Sequence, residues 1–254
     1  MSVELFDIVI PVGPNELNNL SRQIEFTRKN VIGFRRIFLV SYDPKINIDG
    51  CTTIDERIFP FNIDDVAANI SRTKSDRNGW YLQQLLKLYA GFVIPDITKQ
   101  YLVIDADLFF LRPLHFINND GKPIFTSSSE KHLPYFEHMK RIHPSFDKIN
   151  EKSGISHHMM FHVDYLTEMI SAAETYHQEK PFWLIFLNCI EEKHYEHSGA
   201  SEYEMYFNFM CKYFPDHMVV RELDWRNIAH RNISQMDQIA TTSRLDFVSL
   251  CWYI

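Results

Sequence analysis

The chain has 254 residues, with 26 Lys and Arg against 33 Asp and Glu, a formal charge of −7. A hydrophobic share of 45% excludes a disordered chain. The acidic balance argues against a general nucleic-acid binder, which needs a basic face, yet leaves room for an anionic ligand held through a metal ion. At roughly 150 residues per domain the length allows one large or two small domains. No Gly/Pro/Ser-rich linker divides the chain, so a single domain over 1–254 is expected. No apolar run is long enough for a transmembrane helix, and Met1 to Gly13 lacks the basic start of a signal peptide. Cys51, Cys189, Cys211 and Cys251 have neither C-x-x-C nor zinc-finger spacing and read as buried thiols of a reducing compartment.

In chain order, Leu5 to Val12 (LFDIVIPV) is a nearly continuous apolar run that stops at Gly13-Pro14, and it predicts a buried strand. Asn15 to Asn30 carries Leu17, Leu20 and Ile24 at helical spacing, and Ile37 to Tyr42 reads as a second strand. A β-α-β start favours a parallel sheet. Thr52 to Phe61 is expected to supply a third strand. Asp76 to Val93 is the clearest helix, with an apolar stripe of Leu82, Leu85, Leu86, Tyr89 and Val93 and a cap from Ser75 or Asp76. Gln83, Gln84 and Lys87 would form its polar face. Tyr101 to Ile104 is a fourth buried strand, followed by Leu108 to Leu111; Ile155 to Val163 reads as a strand. Helices are expected over Tyr165 to Tyr176, Phe182 to Lys193 and Ser201 to Tyr213, and the tail from Arg221 is mixed. The whole reads as an α/β fold.

The fourth strand ends in Asp105-Ala106-Asp107. With 17 aspartates in the chain a D-x-D triplet arises by chance, so its context carries the weight. Ligands of open α/β sheets bind outside the carboxyl ends of the strands. Two acids there raise each other's pKa until a cation or donor relieves them. Carboxylate oxygens suit Mg²⁺ or Mn²⁺, which can in turn hold a nucleotide diphosphate. The bland alternative is a solvated acidic loop.

With FDIVIPVG, NGWYLQQLLKLYAG, YLVIDADLFFLRPL, SGISHHMMF and SEYEMYFNFM in this order, the chain resembles glycosyltransferases of the GT-A type, and within them a DUF6492-like bacterial and viral group, over roughly residues 3 to 230. The resemblance implies a Rossmann-like, mostly parallel mixed sheet flanked by helices. Residues of about 1–114 would bind a nucleotide sugar, UDP-sugar favoured, and those of about 115–254 would face a glycan, protein or lipid-linked acceptor. It further implies Mn²⁺ or Mg²⁺ as cofactor, with Asp107 the main metal ligand and Asp105 touching the metal, the ribose or both. Ile104 and Ala106 would lie against the nucleotide, Pro11, Val12 and Gly13 would line the base pocket, and Arg77, Trp80 and Gln84 would wall the donor. A late histidine, His230, is the candidate third metal ligand. A cytoplasmic location, bacterial or in a virus-infected cell, is expected, with peripheral membrane association open.

Each assignment has a plainer reading beside it. Arg77 is otherwise a surface arginine at a helix start, Trp80 a core residue and Gln84 part of a polar face. Strand alternation divides His157 from His158 and His162, which leaves at most two imidazoles on one face and speaks against zinc. Contact of His157 or His158 with acceptor or donor sugar is expected instead. Ser201 caps a helix, with Glu204 closing a capping box. Glu202 in its first turn is the candidate base that takes the acceptor proton. Arg221, Arg226 and Arg231 either meet phosphate or form a solvated face. A metal-dependent nucleotidyltransferase and a catalytically inactive GT-A-fold binding module are the competing functions.

Overall fold

The computed structural model describes residues 5–70, 77–149 and 151–251. The central sheet is built from β1 (Phe6–Val12), β2 (Phe34–Ser41), β3 (Cys51–Asp55), β4 (Gln100–Ile104) and, later in the chain, His158–His162. Helix α1 (Leu17–Asn30) returns the chain from β1 to a parallel β2. Its inner face is Leu20, Ile24 and Thr27, and Arg28 and Lys29 in its last turn suit the negative end of the helix dipole. β3 joins β2 in parallel, and β4 joins the other side of β1 in parallel. β1 and β4 are buried along their whole length, as strands covered on both faces must be, which explains their unbroken apolar runs.

Between β3 and β4 run α2 (Ile63–Ile70) and α3 (Asn78–Val93). Ser75 and Asp76, the expected caps of α3, lie outside the described residues. The expected stripe of α3 is present, but Tyr81 and Leu88 are buried as well, so the helix is enclosed nearly all round. After β4 come β5 (Leu108–Phe110), β6 (Ile124–Ser127) and α4 (Leu133–Ile142). The strand His158–His162, β7, pairs antiparallel with β4. The central order is thus β3-β2-β1-β4-β7 among the described residues, a mostly parallel mixed sheet. Helices α5 (Val163–Tyr176), α6 (Phe182–Asn188) and α7 (Glu202–Tyr213) follow. Last come β8 (Val219–Glu222), β9 (Trp225–Ala229), α8 (Met236–Thr242) and β10 (Phe247–Cys251). β8 pairs with β6, and β10 lies between β9 and β5.

Several sequence expectations are corrected. The third strand stops at Asp55, whose carboxylate caps a 3₁₀ turn over Glu56–Ile58. The helix from Phe182 stops at Asn188. Of the four cysteines only Cys189 is buried; the others are half-buried, and all are free. Helix α2 was not expected, although Asn62 accepts the Asp64 and Asp65 N–H groups while the Asp65 carboxylate accepts the Asn62 N–H, a reciprocal cap. Among the described residues no helix is long and apolar enough to cross a membrane.

Candidate active site

β4 ends its apolar run at Ile104, and the chain turns at once. The Asp105 N–H donates to the His157 carbonyl at 3.0 Å, and the Leu108 N–H closes the turn on the Asp105 carbonyl at 3.0 Å. Ala106 goes into the core, while Asp105 and Asp107 on either side of it stay half-buried. The antiparallel register explains the histidine. Ile104 pairs with His158, so the residue before His158 falls beside the residue after Ile104. His157 holds a left-handed backbone, φ +60°, at that point. One ligand atom each from Asp105, Asp107 and His157 lies within 4.8 Å of the others. Ser249 of β10 donates to Asp107 Oδ1 at 3.3 Å and stands 3.4 Å from His157 Nδ1.

Lys87 reaches the same place from α3. Its ammonium is 2.5 Å from Asp105 Oδ1 and 2.6 Å from Glu202 Oε1, and it lies 4.3 Å from the centre of the Tyr203 ring. The Tyr203 hydroxyl donates to Asp105 Oδ1 at 2.8 Å. Lys87 is 3% exposed, so the expected polar outer face of α3 is in fact turned inward at this residue. Gln84, also buried, accepts the Glu202 N–H at 3.1 Å. The sequence hint was available: α3 has apolar residues on too many sides to leave a solvated face.

This arrangement divides the two acids. Burial pushes the Asp105 carboxyl up, but Lys87 and His157 outweigh it and hold Asp105 below the usual carboxylate range. Burial, with the charge of Asp105 added, pushes Asp107 up to about 6. His157 is raised: burial opposes its charge, and the two aspartates more than restore it. Burial raises Glu202, with Lys87 pulling the other way. Lys87 itself, which burial would lower, is raised by Asp105 and Glu202.

The remaining candidate residues divide into near and distant. Pro11 and Val12 end β1, Gly13 follows, and the Glu16 N–H donates to the Gly13 carbonyl at 3.4 Å. A side chain at Gly13 would meet Glu16 Oε2 at 2.8 Å. Glu16, which the sequence did not single out, feels the charge of Asp105 and is raised chiefly by burial. Arg77 precedes α3, bonds the Ser198 hydroxyl and stacks 4.6 Å from the Trp80 ring centre. Trp80 also packs edge-on against Tyr81, which is its plainer reading.

Three expectations need correction. His158 is 1% exposed, accepts or donates a bond with Thr126 Oγ1 at 2.9 Å, and meets Phe110, Phe116 and Phe247 edge-on. Burial, then Arg221, hold it down to about 3, so it is a neutral core histidine and not a sugar contact. His230 is hydrogen-bonded to Asn19 at 2.6 Å and is no member of the trio, whose imidazole is that of His157. Glu204 does not close a capping box: Ser201 caps its N–H, but its carboxylate turns to Lys148, Ser153 and the Gly154 N–H. Arg221, half-buried, donates to the His115 carbonyl at 2.6 Å, while Arg226 and Arg231 are exposed.

The profile of a family described as "Family of unknown function (DUF6492)" matches residues 43–213, a narrower span than the resemblance to roughly residues 3 to 230. That span holds Lys87, both aspartates, His157 and Glu202, but not Ser249 or His230. No curated protein matches the chain. Among solved structures, the apo form of mouse xyloside xylosyltransferase 1 is similar at 11% identity and a TM-score of 0.45, with 96% of this chain and 97% of that one covered. The galactosyltransferase LgtC in complex with donor and acceptor sugar analogs is similar at 12% identity and a TM-score of 0.46, with 98% and 88% covered. An active-site mutant of LgtC gives 13% and 0.47, with 97% and 87% covered. These are distant likenesses.

Proposed function

This chain belongs to the DUF6492 family, and we propose that it is a glycosyltransferase. It would move a sugar from a nucleotide diphospho-sugar, UDP-sugar favoured, to an acceptor hydroxyl, with Mn²⁺ or Mg²⁺ held by Asp105, Asp107 and His157. The observation that carries this reading is the division of the acids at the carboxyl end of β4. Asp105 has an ammonium and a phenol hydroxyl on one oxygen, whereas Asp107 has one long hydroxyl contact and an elevated pKa. An acid so placed has only a share of the His157 imidazole and the more distant charge of Lys87, and two carboxylates with an imidazole suit a divalent cation. When bound, that cation supplies neutralisation of charge on the departing diphosphate.

The chain's own residues set the stage. Lys87 and Tyr203 fix one oxygen of Asp105, leaving Oδ2 toward His157 at 3.4 Å. Ser249 orients Asp107 and His157 together. Glu202 was expected as the proton acceptor; its buried pairing with Lys87 favours a positioning role for it instead. Ile104, Ala106 and the end of β1 would back the nucleotide, and Arg77 with Trp80 would wall the donor.

Thermal unfolding with Mn²⁺ and each common nucleotide sugar tests this. A cognate pair at a hundredfold its dissociation constant stabilises by about 2.7 kcal/mol, and release of nucleoside diphosphate should follow when acceptor is added. If no nucleotide sugar shifts the transition with metal present, the reading fails. Release of pyrophosphate would replace it with nucleotidyl transfer.

A further inference from the structure

Beside the acids lies a cavity of about 480 Å³, of the size of sites for small organic ligands, roughly 300–1,000 Å³. We propose that it takes a neutral saccharide as the acceptor, with the indole of Trp225 as its platform. The inference rests on the glycosyl-transfer reading of the neighbouring trio and adds to it a place and a substrate class.

Position comes first. Trp225 opens β9 where the chain arrives from β8, and it lines the cavity. One indole face lies flat on Phe247, 5.2 Å away at 9°, which fixes the ring. The same ring meets His157 at 5.2 Å and 78°, so Trp225 joins the cavity wall to the imidazole of the trio. Phe247 belongs to β10, the strand that also supplies Ser249 to Asp107.

The walls then select the ligand. Ser128 and Ser129 supply hydroxyls that donate and accept, while the buried Ser127 hydroxyl donates to the Arg221 carbonyl at 3.3 Å. Lys152 and Glu222 are paired with each other across the cavity wall. Lys131, Glu151 and Asp224 complete the charged lining. Two cations against three acids offer no attraction for an anion, and Leu223 with Trp225 is too little apolar surface for an acyl chain. A flat aromatic face ringed by hydroxyls and carboxylates instead matches a sugar, which has a C–H face and a hydroxyl rim. Trp225, Glu222 and Asp224 lie outside the residues 43–213 that match the family.

A panel of neutral and acidic oligosaccharides, serine- and threonine-containing peptides and acyl-lipid micelles tests the proposal by direct binding to the whole protein. Mn²⁺ with UDP is titrated on the same samples. Neutral saccharides should bind, and Trp225→Ala should weaken them at least tenfold. Ser129→Trp fills the cavity from an exposed position without disturbing the Phe247 stack, and should weaken them as much. Trp225→Phe should retain binding within about threefold. The proposal is overturned if no neutral saccharide binds, if binding survives both Trp225→Ala and Ser129→Trp, or if peptides or lipids alone bind. If saccharides follow Trp225 but Mn²⁺ with UDP does not bind, the cavity stands as a saccharide site and the glycosyl-transfer reading fails.

Discussion

Asp105, Asp107 and His157 at the end of β4, and Glu137, Glu191 and His194 beside α4, are both two carboxylates with an imidazole, their ligand atoms within 4.8 Å. Their surroundings differ. Arg141 bonds Glu191 and lies 3.9 Å from Glu137, and Lys193 sits 2.6 Å from Glu191. Lys193 foremost draws the Glu191 pKa down, and these acids are about a third exposed. At the end of β4 one buried ammonium serves Asp105 and Glu202, and Asp107 is left over. A donor set therefore does not by itself mark an ion site. What distinguishes the group at β4 is a half-buried acid of raised pKa with no ammonium or guanidinium of its own, only a share of the His157 imidazole.

The sharpest way to break this comparison is to remove the central ammonium. Lys87→Met strands two carboxylates and should cost about 3–5 kcal/mol of stability by urea unfolding. A loss under 1 kcal/mol would mean that Lys87 does not hold the group together. Next is acid. His138, on the same helix as Glu137 and Arg141, is buried and bonded to the Phe186 carbonyl at 2.8 Å. Burial holds its pKa down to about 4. Below pH 6.5 the unfolded chain takes up a proton that the folded imidazole refuses. The contribution is therefore present above 6.5 and lost as pH falls to 4, about 3 kcal/mol in all. Urea unfolding at pH 7 and 4 should show a smaller fall for His138→Gln than for the wild type. Equal falls would place the acid sensitivity elsewhere.

A smaller effect separates the two groups as ion sites. Asp107→Ala should weaken Mn²⁺ binding by about tenfold to a hundredfold, roughly 1.4–2.7 kcal/mol, while Glu137→Ala leaves it within twofold. Calorimetric titration of both variants decides, and equal affinities would erase the distinction. Smallest of all, Arg141→Ala removes half-buried pairings with Glu137 and Glu191 and a bond to the Cys189 carbonyl, and should cost about 1 kcal/mol by urea unfolding.

The sheet was legible because its strands are unbroken apolar runs, and the D-x-D because it follows one of them. The histidine of the trio was visible but not its partner: only the antiparallel register of β7 on β4 puts His157, and not His158, beside Asp105. Lys87 was misread because a lysine among glutamines looks like a solvated face. What encloses Lys87 is Glu202 and Tyr203 of α7, which are distant in sequence. His230 follows from a late position in the chain alone; its ring bonds Asn19 and lies near Glu16, which also feels Asp105. α2 and α4 were missed although a reciprocal cap opens the first and Pro134 stands in the first turn of the second.

Ser249 bonds Asp107 across 142 residues, and the Leu250 N–H donates to the Asp107 carbonyl at 2.9 Å. On a ribosome the two aspartates therefore emerge long before the strand that seats them, by roughly 7–28 s at ordinary elongation rates. For that interval the nascent chain carries its charged turn without Ser249 or the backbone of β10. The seat of Asp107 is therefore completed only after β10 has followed it, long after the turn itself is made.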